Sequence, residues 1–182
     1  DINTMCWLTL PPKNNLQQAY DTLQQIGAIE SVTEYTNSSM SLRAKSRSEN
    51  HNNEVTRFKI TEHGKQVHQL ACHPRIAHML LLAETSAMKA LGCDIAGILE
   101  ERDPLPKDSG IDLNIRIEAL RRVRNNNAFT NKFKRNKKNA ASYRKLLNLE
   151  PDNSYVDAYE TGLLLAYAYP ERIASAKPGN NA

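Results

Sequence analysis

Residues 55–82 read VTRFKITEHGKQVHQLACHPRIAHMLLL, and inside them the hydrophobic period changes from that of a strand to that of a helix. Val55, Arg57 and Lys59 alternate with Thr56, Phe58 and Ile60, the pattern of a strand with two unlike faces. Thr61 then stands as an N-cap ahead of Glu62, so a helix is expected over 62–71, with Gly64 tolerated inside it. Pro74 suits a first helical turn, where no amide donor is needed. Ile76, Met79, Leu80 and Leu82 carry that second helix to about Glu84.

Towards the N-terminus, 1–10 is short and mildly apolar and ends at Pro11-Pro12. Leu16, Ala19, Tyr20, Leu23 and Ile26 recur at helical spacing, so a helix is expected over 13–26, stopped by Gly27. Ala28 to Val32 reads as a short strand. Residues 36–54 are Ser, Asn, Lys, Arg and Glu with little to bury, the composition of a mobile loop. Helix, strand, long tip, strand is the ending of a winged-helix module whose opening helices would precede residue 1.

Towards the C-terminus, a helix is expected from Ala87 or Gly92 to Glu100, with Ile95, Ile98 and Leu99 facing inward. Pro104, Pro106 and Gly110 break the pattern; helices over 111–123, 128–148 and 153–168 follow. Phe129 and Phe133, four apart, suit one buried helix stripe. Beyond Pro170 the chain turns polar. The fold class expected is mainly α: a partial winged helix with a two-stranded wing, then a helical bundle. The domains would be 1–60, 61–174 and a tail at 175–182.

The chain has 182 residues, 40% hydrophobic and 24% charged, enough for a buried core. No apolar run approaches the roughly 20 residues of a membrane span. Asp1 in place of an initiating Met suggests a piece of a longer protein. Cys6, Cys72 and Cys93 leave one thiol over under any pairing, so reduced thiols and a cytoplasmic setting are expected.

The net charge of +4 is unevenly spread. Residues 111–149 hold 11 basic side chains against Asp112 and Glu118, more than the whole surplus. A field of that sign attracts polyanions, and the interleaved Asn125 to Asn127, Asn131, Asn136 and Asn139 suit phosphates and exposed bases. A solvated helix face is the plain alternative.

Enzymatic signatures are not found. The sequence contains no GxxxxGK[ST] loop, GxGxxG turn, GxSxG elbow, HExxH pair or CxxC pair. His68, Cys72, His73 and His78 cluster, but Pro74 interrupts the helix that would bring them to one face, so no structural metal is expected. Cys93 reads as a small core residue, with no base beside it.

Ile60-Thr61-Glu62-His63-Gly64 followed by Ala71-Cys72-His73-Pro74-Arg75-Ile76-Ala77-His78-Met79-Leu80-Leu81 resembles the helicase-associated region of DExH-box ATP-dependent helicases, the bacterial HrpB type above all. Trp7-Leu8-Thr9-Leu10-Pro11-Pro12, Ile95-Ala96-Gly97-Ile98-Leu99, Glu100-Glu101-Arg102-Asp103-Pro104 and Leu164-Leu165-Ala166-Tyr167-Ala168-Tyr169-Pro170-Glu171-Arg172-Ile173-Ala174 are similar to the same region. The likeness covers about 5–174. It implies a ratchet-like helical domain over the second part, and RecA-like motor domains upstream in the parent. ATP and magnesium would belong to those domains, leaving this chain without a catalytic residue or cofactor of its own. Residues 33–58 depart from the resemblance, being longer than the tight wing expected.

On this reading the chain lines the single-strand channel of an ATP-dependent RNA helicase and holds the strand while the motor steps. Its partners would be single-stranded RNA or another nucleic acid and the motor domains of the same chain, with no membrane. The residues expected on the phosphates are Arg121, Arg122, Arg124, Lys132, Lys134, Arg135, Lys137 and Lys138. The alternative is a scaffold domain, without a motor, whose basic face binds RNA or an acidic protein.

Overall fold

The computed structural model describes residues 5–35, 54–125 and 130–175. Its elements run α1 (Lys13–Gln25), β1 (Ile29–Tyr35), β2 (Glu54–Ile60), α2 (Glu62–Gln69), α3 (Pro74–Leu82), α4 (Ser86–Leu99), α5 (Leu113–Asn125), α6 (Thr130–Leu146) and α7 (Ala158–Ala168). Of the wing tip read at 36–54, Glu54 begins β2 and 36–53 lie outside the described residues, as do Phe129 and the polar end after 175. The chain divides into two compact units after Gln69, so α2 belongs with the hairpin rather than with the helices that follow.

In the first unit, Gly27 ends α1 at φ 68°, as its position suggests, and the chain turns into β1. β1 and β2 pair antiparallel from Ile29–Ile60 to Tyr35–Glu54. Tyr20 of α1 stacks on Phe58 of β2 with ring centroids 4.4 Å apart. Thr61 is the expected N-cap and more. Its Oγ1 accepts from the Gly64 amide at 2.9 Å and donates to the Gly27 carbonyl at 2.6 Å, while its own amide donates to the Ala28 carbonyl at 3.0 Å. One residue therefore starts α2 and ties it to the turn between α1 and β1. Gly64 is required rather than tolerated, because a Cβ there would stand 2.0 Å from the Ala28 carbonyl oxygen.

The second unit packs its helices around α4, which is buried from Ala90 to Ile98. Thr85 caps it by accepting from the Met88 amide at 3.1 Å, which settles the start beside Ala87 rather than at Gly92. Leu99, expected inside, is 38% exposed at the end of α4. Ile111 is fully exposed: α5 begins at Leu113, after the Asp112 carboxylate accepts from the Asn114 amide. α7 likewise starts late, where Asp157 accepts from the Tyr159 amide at 2.9 Å. The core joins Met79 and Leu80 of α3, Ile95 of α4, Ile117 and Leu120 of α5, Phe133 and Ala140 of α6, and Leu164 of α7.

Cys93 and Cys72 belong to this unit, the first buried and the second half-buried. Burial pushes the Cys93 thiol up to about 12, and burial with the Glu100 carboxylate pushes Cys72 up to about 11. Both thiols are thus protonated near neutral pH, and a thiol held above its unfolded value loses stability for the fold as pH climbs past the ordinary thiol range. Iodoacetamide at about pH 8 is expected to label exposed Cys6 and spare Cys93 until denaturant is added. Equal labelling rates for the two in the folded protein would contradict the packing.

Candidate nucleic-acid interface

Asp94 sits in the buried stretch of α4, with its side chain 1% exposed. A carboxylate removed from water needs counter-charge and hydrogen-bond donors, and three arginines supply them. Arg121 Nε donates to Oδ2 at 3.0 Å, Arg144 Nη1 donates to Oδ1 at 2.8 Å, and Arg124 Nη2 also donates to Oδ1. Two further donors reach the backbone of the segment before α7, Arg121 Nη1 to the Ser154 carbonyl at 2.6 Å and Arg124 Nη1 to the Asp152 carbonyl at 3.2 Å, while the buried Arg124 Nε has no hydrogen-bond partner. Burial draws the Arg124 guanidinium below the ordinary arginine range, and Asp94 opposes that shift. The cluster joins α4, α5, α6 and the lead-in to α7 at one point.

Two of the residues expected on phosphates are therefore corrected. Arg121 and Arg124 have side chains only 7% and 8% exposed and are engaged with Asp94. A basic residue on an amphipathic helix reads as solvated unless a buried counter-charge claims it. The signal that locates them is Asp94 itself, a lone charge inside Leu91–Leu99 that has to find partners. Asn136 is also turned inward, its Nδ2 donating to the Gly97 carbonyl at 3.1 Å. Phe133 is buried, as the helical spacing indicates.

Arg116 is engaged as well. Its Nη2 donates to Asp103 Oδ2 at 2.8 Å and to the Gly110 carbonyl at 2.7 Å, and Nη1 reaches the Asp112 carbonyl at 2.9 Å, closing the break between α4 and α5. The hydrogen bond from Arg116 holds the Asp103 carboxyl below the usual carboxylate range. Four of the eleven cations in 111–149 are thus structural, and part of the charge surplus answers to the fold.

Seven cations are left. Arg122, Lys132, Lys134, Arg135, Lys138 and Lys145 are exposed and Lys137 is half-buried. Arg122 pairs with Glu118 at 3.3 Å, and Arg135 reaches Glu101 only at 3.9 Å. At about 100° per residue, Lys134, Lys138 and Lys145 fall within about 40° of one another, away from buried Phe133, Asn136, Ala140 and Tyr143. The rise from Lys134 to Lys138 is about 6 Å, on the scale of one nucleotide step in an extended strand. The site is a cationic row along one outer face of α6, with Arg135 beside it.

Of His68, Cys72, His73 and His78, it is His73 that the structure gives a role, as a helix cap. His73 N-caps α3, with Nδ1 accepting from the Arg75 amide at 3.3 Å. Arg75 Nη1 donates to the Ala168 carbonyl at 3.0 Å and to Glu171 Oε2 at 2.8 Å, and the guanidinium lies 5.2 Å from the centroid of the Tyr169 ring. The Cys72-His73-Pro74-Arg75 motif is a clasp between the start of α3 and the end of α7, where a cation also complements the helix dipole. Among the described residues no group of three or more His, Cys, Asp or Glu is placed to hold a metal ion, and no helix is long and apolar enough to cross a membrane.

This architecture is similar to a segment found in DExH-box and DEAH/RHA proteins. One solved structure is the DExH-box NTPase HrpB of E. coli, matched at TM-score 0.60 and 26% identity over 94% of this chain and 16% of that one. A second is the DEAH/RHA helicase HrpB of Escherichia coli, at TM-score 0.59 and 25% identity, covering 96% of this chain and 17% of that one. The chain thus spans about a sixth of the length of the structures it matches. No family model and no curated protein matches it.

Proposed function

We propose that this chain is an accessory region of a DExH-box-type ATP-dependent helicase that holds single-stranded RNA against the outer face of α6. The observation that carries the reading is the row of exposed cations Lys134, Lys138 and Lys145 with Arg135, which among the described residues meet no fully buried counter-charge, Arg135 reaching Glu101 only at 3.9 Å. Likeness to a segment of HrpB supports the helicase setting. Lysines in a row neutralise successive phosphates without reading sequence, which suits a strand that has to slide. The α1–β1–β2 unit stands in this reading as the end of a winged helix, with β1 and β2 as its wing. ATP turnover would belong to motor domains of the parent, in the cytoplasm.

The test is a triple variant, Lys134→Gln, Arg135→Gln and Lys138→Gln, titrated with labelled oligouridylate by fluorescence anisotropy. Each contact to phosphate is screened by salt, so at low salt the variant is expected to bind about tenfold or more weakly. Its melting temperature should stay within a few degrees, because exposed substitutions change stability by about 0.5 kcal/mol or less each. Unchanged affinity would remove α6 from the track. A face that takes an acidic protein and not RNA would show itself as wild-type chain that fails to bind the oligonucleotide at all.

A further inference from the structure

On the other side of α6 from the row of lysines, at its first turn, lies a groove that the row does not explain. It lies between α5, α6 and the 3-10 turn Lys107–Ser109 and encloses about 440 Å³. Leu105, Ile115, Val123 and Phe133 give it an apolar lining, and Arg122 and Lys132 stand on it as exposed cations, one from each helix. Glu118 lines it too, paired with Arg122 at 3.3 Å across an exposed surface, a pair that a phosphate oxygen can displace.

An apolar slot with cations at its edge matches the two halves of a nucleotide: a flat, poorly hydrated base and a charged phosphate. We infer that this groove takes one unstacked base of a bound single strand, with Arg122 and Lys132 on the flanking phosphates. The charge at the edge is what selects this occupant. An apolar peptide helix would offer nothing to Lys132 and leave Arg122 with only its exposed Glu118 pair, whereas the phosphates of a strand reach both. The inference rests on the reading of α6 as a strand track and adds what holds the strand between steps. A base in a slot resists sliding, and phosphates on a row of lysines do not.

Two probes separate the slot from the track: oligouridylate, and an abasic ribose-phosphate chain of the same length and charge. The wild-type chain is expected to bind the oligouridylate about fivefold or more tightly than the abasic chain, in keeping with the contribution of a held base. Ile115→Gln makes the lining polar at a half-exposed position and should bring the two affinities together, while the salt dependence stays as in the wild type. As a measurement free of any folding effect, a 5-iodouridine oligonucleotide irradiated with the wild-type chain should crosslink within 105–133. Equal affinity for both probes in the wild type would overturn the slot and leave the track standing. A preference that survives Ile115→Gln, or crosslinks confined to other regions, would likewise overturn it. Failure of both probes to bind would overturn slot and track together.

Discussion

Replacing Asp94 with alanine is expected to lower the unfolding midpoint of the helical unit by about 15 °C or more, or to abolish its cooperative transition. The substitution leaves the guanidinium groups of Arg121, Arg124 and Arg144 together in the core with no counter-charge. Removing one partner of a buried ion pair costs about 3–5 kcal/mol, against a total of about 5–15 kcal/mol for a typical domain. Here three cations lose the same partner, which places the effect at the upper end. Adding Arg124→Met to Asp94→Ala should recover part of the loss, since one uncompensated charge leaves the core. Differential scanning calorimetry of both variants checks this. A loss below about 1 kcal/mol for Asp94→Ala would mean that the cluster is hydrated and not the joint of the bundle.

Gly97→Ala is expected to destabilise by about 2–3 kcal/mol, against the sign that helix propensity gives. Propensity alone favours alanine over glycine inside a helix by about 1 kcal/mol. At Gly97, however, a Cβ would lie 2.7 Å from the Asn136 carbonyl oxygen and 2.8 Å from the Ala140 Cβ. Those atoms belong to α6 and cannot swing aside as the end of a long side chain can, so α4 and α6 would have to separate. The same shift breaks the buried Asn136 hydrogen bond to Gly97. Gly162 of α7 is the internal control, with nothing within 4 Å of the added Cβ, and Gly162→Ala should stabilise by up to about 1 kcal/mol. Opposite signs in chemical denaturation support the crossing; stabilisation by both would contradict it.

These two positions also show how far the sequence could be read. Thr61, Pro74 and the apolar spacing of 76–82 announce their helices locally, and the structure has them in place. The two-stranded sheet follows from alternation on either side of a polar stretch. Thr85 starts α4 within a residue of Ala87, the earlier of its two expected starts, whereas α7 begins later than its apolar spacing indicates, because the Asp157 cap decides it past Val156. The basic segment was legible as a charge and illegible as a geometry. Eleven cations look alike in sequence, and only the partners Asp94 and Asp103 divide them into four that hold the fold and seven others, six of them exposed. Those partners lie 13 residues or more away along the chain, beyond the reach of any local pattern.

The division of cations is the central claim, and salt dependence measures it most directly. If about four phosphates are neutralised, the logarithm of affinity for oligouridylate should fall against the logarithm of salt with a slope of roughly −2.8, about a fiftyfold loss between about 50 and 200 mM. Lys134→Gln, Arg135→Gln and Lys138→Gln together should flatten that slope by about two units with the fold intact. A wild-type slope near zero, or one that the triple variant leaves unchanged, would contradict the assignment of α6 as the strand-holding face.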